Sequence, residues 1–215
     1  MIRVIIADDD PIIVQGLSMI LGADGDIEII GAADSGEGAV SLCREHRPDV
    51  ALLDIRMPGT DGIEAAETII RHGLSAPLLL TTFDEPELIA RALMAGVQGY
   101  ILKNSPPERI LSAIKTVARG GAVFAPDVVN YIRDVLPDCM LGAKRETAEN
   151  IFAELTPREM DVARGVSEGL SNQEIADRLF ISNGTVRNHI SSILEKEGLE
   201  HRTQIAVKWY AGAVR

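Results

Sequence analysis

The chain has 215 residues, a net charge of -11 and 46% apolar residues, enough length for one large domain or two smaller ones and enough apolar material for a sizeable core. No apolar run approaches the roughly 18 residues that span a bilayer, and the N-terminal run lacks the length and cleavage pattern of a secretion signal, so a cytoplasmic protein with no membrane contact is expected. The charge is uneven: residues 1–120 hold 10 Lys+Arg against 18 Asp+Glu (-8), residues 121–149 hold 3 against 5 (-2) and residues 150–215 hold 8 against 9 (-1), which separates an acidic first half from a nearly neutral second.

From residue 1 to about 119, short β-branched runs alternate with helical periodicity. Strands are expected at 3–7, 27–31, 50–53, 77–81 and 99–102, with helices at about 11–22, 35–46, 61–72, 86–95 and 107–119. Strict alternation of this kind predicts an α/β flavodoxin-like (βα)5 fold, a doubly wound parallel sheet of order 2-1-3-4-5 spanning residues 1–120. Beyond Gly120-Gly121 the periodicity weakens, and residues 121–152 read as a linker with one short helix at 127–136. Cys43, within a helical pattern, and Cys139, in this polar stretch, have neither disulfide nor metal-ligand spacing and are expected to be free thiols. Residues 153–215 form a small all-α unit with helices at about 157–168, 171–179, 182–196 and 203–212. Three start signals mark them: Thr156-Pro157 with Glu159 at capping-box spacing, Ser171 with Glu174 likewise, and Ser182.

In a doubly wound sheet, ligands sit beyond the C-terminal strand ends. The groups found there are Asp8, Asp9 and Asp10 after strand 1, Asp54 after strand 3, Thr81 and Thr82 after strand 4, and Lys103 after strand 5. Several carboxylates around one point cannot all stay ionised without a cation, and an all-oxygen set suits a hard divalent ion, Mg²⁺ in first place or Mn²⁺. Asp54 is then a candidate nucleophile that forms an aspartyl phosphate, with Lys103 pairing the phosphoryl oxygens and Thr81 hydrogen-bonding one of them. Taken singly, each of these residues would read as a turn, cap or surface group; four matched groups at successive strand ends are harder to obtain by capping needs. Asp10 stands apart, because the following Pro11 suits the first position of a helix that the Asp10 carboxylate can cap.

The second and third helices of the C-terminal unit, joined by Phe180-Ile181, have the lengths of a helix-turn-helix. On the third, Val186, Ile190, Ile193 and Leu194 share one face, and Arg187, Asn188, Ser191 and Glu195 lie opposite. Arg and Asn read guanine and adenine edges in a major groove, and Ser bonds either kind. No acidic residue stands between Arg178 and Leu194, although a segment of net charge -1 is a poor electrostatic DNA binder by itself. Trp209 and Tyr210 end the last helix, in core packing or, where exposed, on a self-association surface.

The motifs ADDDP (7–11), LLDIRMPGTDG (52–62), LLLTTF (78–83) and GYILK (99–103) resemble a receiver domain of two-component response regulators. LTPRE, EGLSNQEIADRLFIS and TVRNHISSIL resemble the LuxR-type helix-turn-helix, and the two together resemble the NarL/FixJ class. The resemblance implies Asp54 as phosphoacceptor, Asp8, Asp9, Asp54 and the backbone carbonyl of Arg56 as metal ligands, and Thr81, Tyr100 and Lys103 as switch residues. It implies Arg187, Asn188 and Ser191 at base edges and Ser171, Asn172, Thr185, His189 and Lys196 at phosphates, with His189 equally suited to packing on the neighbouring helix. It further implies a sensor histidine kinase, promoter DNA, a homodimer formed on phosphorylation, RNA polymerase as a further partner, and no enzyme activity beyond slow self-dephosphorylation. Two departures stand out: Asn104 follows Lys103 where many receivers have proline, and Glu197 occupies a usually apolar position, where it would snorkel to solvent, pair with Arg202 or loosen the recognition helix. Two alternatives remain open: a haloacid-dehalogenase-type phosphohydrolase, suggested by the D-x-D spacing in Asp8-Asp9-Asp10, and a receiver that regulates DNA binding without phosphorylation.

Overall fold

A computed structural model describes residues 1–82, 86–124 and 152–212. The expected helix at 127–136 and the side chain of Tyr210, like Cys139, lie outside the described residues. The chain divides into two compact units, one of Met1–Asp84 with Val97–Val123 and one of Glu85–Gly96 with Phe124–Arg215.

In the first half, strands β1 (Ile2–Ala7), β2 (Ile27–Ala33), β3 (Val50–Asp54), β4 (Ala76–Thr81) and β5 (Gly99–Leu102) alternate with helices α1 (Pro11–Gly22), α2 (Gly36–His46), α3 (Gly62–Arg71), α4 (Pro86–Met94) and α5 (Pro107–Ala118). The sheet runs β2-β1-β3-β4-β5, as the alternation predicts, and gains a two-residue strand, β6 (Val123–Phe124), at its edge. That strand falls in the segment expected to be linker; the Val123 N–H donates to the carbonyl of Gln98 at 2.9 Å, an anchor too short to leave a periodic signal. Four strands also run longer than expected: β1 and β4 each start one residue earlier, at Ile2 and Ala76, β2 continues to Ala33, and Asp54 is the last residue of β3 rather than the first beyond it. Val4, Ile6, Val50, Leu52, Leu78, Leu80 and Ile101 are buried beneath Ile110, Ile114 and Val117 of α5. Burial on both faces is what makes the strands read as continuous apolar runs.

The parallel register does the positioning. Ala7 pairs with Leu53, so Asp8, just beyond β1, and Asp54, the last residue of β3, stand side by side at the sheet edge. Thr81 pairs with Leu102, and the Lys103 N–H donates to the Thr81 carbonyl at 2.6 Å, which sets Lys103 beside the same edge. Two glycines let the β3–α3 connection fold back tightly over this edge. A Cβ at Gly62 would stand 1.9 Å from the Asp54 carbonyl oxygen, and one at Gly36 would stand 2.4 Å from that of Thr60.

The C-terminal helices are α6 (Pro157–Ser167), α7 (Asn172–Leu179), α8 (Asn183–Glu197) and α9 (Arg202–Gly212). Both expected capping boxes form, Thr156 with Glu159 and Ser171 with Glu174, and Ser182 caps α8 by accepting from the Thr185 N–H. Phe152, Val162, Val166, Ile175, Val186, Ile190, Ile193 and Ile205 make one apolar core. Trp209 packs on it, its ring 5.9 Å from that of Phe152, in keeping with the expected core role.

Glu197 does not reach solvent and does not pair with Arg202. Its side chain is buried and meets the ammonium of Lys208, on α9, at 2.5 Å, with that ammonium 5.5 Å from the Phe152 ring. Arg202 instead donates to Asn172 Oδ1 at 2.6 Å and to the Leu170 carbonyl. A buried ion pair that loses one partner leaves an uncompensated charge, whereas an apolar pair of similar volume is often neutral. Lys208→Met is therefore expected to cost about 1.5–3 kcal/mol in thermal or urea unfolding. Glu197→Leu/Lys208→Met is expected to recover most of that loss, and a double variant no more stable than Lys208→Met would show that the pair carries no coupling.

Candidate functional site: an acidic strand-end cluster and a helix-turn-helix surface

The three consecutive acids of ADDDP are not equivalent. Asp8 is buried, Asp9 and Asp10 are exposed. Asp10 caps α1, accepting from the Ile12 N–H at 2.8 Å, and its own N–H donates to Asp8 Oδ1 at 3.0 Å. The residue that starts the helix thus also fixes the carboxylate behind it. Asp8, Asp9 and Asp54 each present an oxygen, all within 4.8 Å of one another. An open cleft of about 430 Å³ lined in part by Asp8, Asp9, Gln15 and Asp34 leaves this side accessible.

Lys103 crosses the cluster, its ammonium 2.6 Å from Asp8 Oδ2 and 3.1 Å from Asp54 Oδ1. Burial pushes the Asp54 carboxyl above the ordinary carboxylate range, and the Asp8 charge adds to this against the opposing pull of Lys103. For Lys103 burial acts downward, but the hydrogen bonds and charges of Asp8 and Asp54 outweigh it and hold the ammonium above its usual value. The pair of shifts describes a site short of positive charge: one ammonium serves two buried carboxylates, and Asp54 is not fully relieved. A hard cation with oxygen ligands fits that deficit and the donor set. Thr81 is buried at the same edge, Tyr100 is buried in β5 opposite Leu79, and Arg56 is exposed in the loop two residues after Asp54. Cys43 takes no part: it is buried in α2, and burial pushes its thiol up to about 12.

On α8, Arg187, Asn188 and Ser191 are all exposed, while Val186, Ile190 and Ile193 are buried. The five expected phosphate contacts divide. Thr185 and His189 are half-buried on α8, next to the exposed face. Asn172 is held by Arg202, whose guanidinium burial pushes down to about 10. Ser171 is buried and accepts from the Glu174 N–H, and Lys196 donates to Glu159 Oε2 at 2.7 Å. The last two are thus engaged inside the unit. These internal partners leave no local signal in the sequence, since Glu159, Lys208 and Asn172 lie 37, 11 and 30 positions from the groups they hold.

A doubly wound sheet with a carboxylate cluster and lysine at its C-terminal edge, followed by a capped helix-turn-helix, defines a receiver-type switch joined to a DNA-reading unit. Residues 4–115 match the response regulator receiver domain, and residues 153–209 match the luxR family of bacterial regulatory proteins. The chain belongs to the two-component response regulators of the NarL/FixJ class, transcriptional regulators that carry a LuxR-type DNA-binding domain. It is 37% identical over 207 residues to the transcriptional regulatory protein DesR of Bacillus subtilis strain 168, covering 95% of this chain and 94% of that one. Among solved structures it is similar to the response regulator ChrA of a heme-sensing two-component system, at 32% identity, with 96% and 95% of the two chains covered and a TM-score of 0.52. It is also similar to RcsB, solved as two dimers bound to two parallel DNAs, at 25% identity, 100% and 99% coverage and a TM-score of 0.56. The relatives matched here are named as transcriptional regulators and not as phosphohydrolases. No helix among the described residues is long and apolar enough to cross a membrane.

Proposed function

We propose that Asp54 accepts a phosphoryl group from a sensor histidine kinase and that its phosphorylation controls the binding of the C-terminal unit to promoter DNA. The observation that carries this reading is the register-driven convergence of Asp8, Asp54 and Lys103, with one ammonium 2.6 Å and 3.1 Å from two buried carboxylates. An Asp54 oxygen attacks phosphorus, forming an O–P bond as the donor's N–P bond breaks and the pair of electrons leaves with the imidazole. Lys103 then exchanges its contact with Asp54 for one to the phosphoryl oxygens, and the Thr81 hydroxyl donates to another. That exchange, passed to the buried Tyr100 two positions inside β5, changes the surface of the first unit. Asp8, Asp9, Asp54 and the Arg56 carbonyl would hold Mg²⁺ or Mn²⁺, which neutralises the charge on the phosphoryl oxygens. The chain releases its own phosphoryl group to water slowly at most and turns over no other substrate.

In the second unit Arg187, Asn188 and Ser191 reach base edges, and Thr185, His189 and Asn172 contact phosphates, with Ser171 and Lys196 contributing where their internal partners leave a donor free. The nearly neutral charge of residues 150–215 makes a monomer a weak binder. A homodimer formed on phosphorylation supplies the missing affinity through two half-sites; RcsB, solved as dimers on DNA, supports this. RNA polymerase is the natural further partner, and the cytoplasm, where promoter and kinase output meet, the place of action. The functional boundaries are 1–120, 121–152 and 153–215.

Metal removal tests the first step. With acetyl phosphate and Mg²⁺ the intact chain is expected to gain one phosphoryl group by mass spectrometry, and with a chelator to gain none. Equal labelling without metal would remove the cation from the mechanism, and no labelling under either condition would favour a receiver that regulates without phosphorylation.

A further inference from the structure

The recognition surface of α8 is useful only if the helix has one rotation about its axis. A side-chain tip on an α-helix lies about 5–6 Å from the axis, so a turn of roughly 20° moves it by about 2 Å, enough to spoil a bidentate contact to a base. The buried face of α8, Val186, Ile190 and Ile193, packs into the core but supplies no directional bond that selects one rotation.

A directional anchor exists. Glu159, in the first turn of α6, is one of the few buried charged residues among those described, 4% exposed. Its Oε2 accepts from the Thr156 N–H at 2.8 Å, the Thr156 hydroxyl at 2.8 Å and the Lys196 ammonium at 2.7 Å, and its Oε1 accepts from the Ser192 hydroxyl at 2.7 Å. The capping box explains the bond from the Thr156 N–H and brings the Thr156 hydroxyl alongside the same carboxylate. It does not require the other two, which come from the far helix. Thr185, His189, Ser192 and Lys196 follow one another at i, i+4, i+7 and i+11, a stripe along the flank of α8 beside Asn188 and Ser191. Glu159 therefore grips the C-terminal half of that flank at two points and leaves the N-terminal half free for a groove. Burial alone would raise its carboxyl, but the bonds from Lys196, Ser192 and Thr156 outweigh it and bring it down to about 2, so the anchor is charged wherever DNA is bound.

We propose that Glu159 is a positioning residue for DNA recognition: through Ser192 and Lys196 it fixes the rotation of α8, and so decides which side chains face the bases, without touching DNA itself. This rests on the reading of α8 as the helix that enters the groove. It separates two properties that a purely structural cap would lose together, since fixing rotation governs discrimination between sequences while phosphate-based affinity tolerates small turns.

The test uses the full chain and two probes, a duplex selected by the parent chain from a random-sequence pool and a mixed-sequence duplex. Glu159→Gln is expected to lower the ratio of the two affinities by roughly tenfold, the value of about one base-edge contact, and Ser192→Ala by about threefold, with mixed-sequence binding unchanged. A ratio within about twofold of the parent in both folded variants would overturn the proposal, as would a parallel fall on both probes. Should Glu159→Gln fail to fold, Ser192→Ala, which keeps the capping box, decides alone. Arg187→Ala is the control: an unchanged ratio there would overturn the reading of α8, and this proposal with it, whereas a lowered ratio in Arg187→Ala beside unchanged Glu159→Gln and Ser192→Ala would overturn the role of Glu159 only.

Discussion

Asp54→Asn is expected to take up no phosphoryl group from acetyl phosphate under conditions where the parent chain is labelled. In the proposed mechanism Asp54 supplies the nucleophilic oxygen, which lies 3.1 Å from the ammonium that would receive the product's charge. An amide keeps the shape but cannot form the acyl phosphate. Asp8 is no substitute, because its Oδ1 accepts the Asp10 N–H and its Oδ2 lies 2.6 Å from Lys103. Lys103→Met separates chemistry from relay: two buried carboxylates lose their ammonium, which raises Asp54 further, and phosphorylation slows. Any label gained should also fail to strengthen DNA binding. Full labelling of Asp54→Asn, located by peptide mapping at Asp8 or Asp9, would transfer the nucleophile to that residue.

The second large effect is expected on the helical unit. Arg187→Ala and Asn188→Ala should each weaken binding to a selected duplex by about 1–3 kcal/mol, or roughly 5–150-fold. Both side chains are exposed and lie off the core face of α8, which is Val186, Ile190 and Ile193. Thermal unfolding should therefore stay within about 0.5 kcal/mol of the parent, as for other exposed substitutions. Circular dichroism and fluorescence anisotropy on the same samples check this pair of results. Loss of stability in step with loss of binding would mean that these residues support the fold instead.

The fold was legible because its signals are local and repeated. Runs such as Val4-Ile5-Ile6 and Leu78-Leu79-Leu80 are buried on both faces and carry no polar residue, so each strand announces itself, and the strict alternation with helices leaves one common topology. The convergence of Asp8, Asp54 and Lys103 was legible for the same reason, since strand ends in such a sheet converge. Asp10 as a cap followed from Pro11. What escaped are relations between residues far apart in the chain. The pairing of Glu197 with Lys208 instead of Arg202 depends on how α9 lies against α8, and nothing in the spacing of either residue fixes that crossing. Glu159 read as half of a capping box, which it is, yet two of its four bonds reach across 33 and 37 positions. The close approach of Gly62 to the Asp54 carbonyl left a visible mark, Asp61-Gly62, but such a dipeptide reads first as a turn. The two-residue strand β6 is too short to show any period.

In the proposed function, phosphorylation at Asp54 and DNA binding by α8 are coupled. The most direct measurement is the affinity of the full chain for a selected duplex before and after treatment with acetyl phosphate and Mg²⁺, with Asp54→Asn treated in parallel. Coupling predicts that the treated parent binds roughly 5–150-fold more tightly, the usual range for linked sites, while the variant does not change. Equal affinity of the treated and untreated parent, with labelling of Asp54 verified on the same sample, would contradict it.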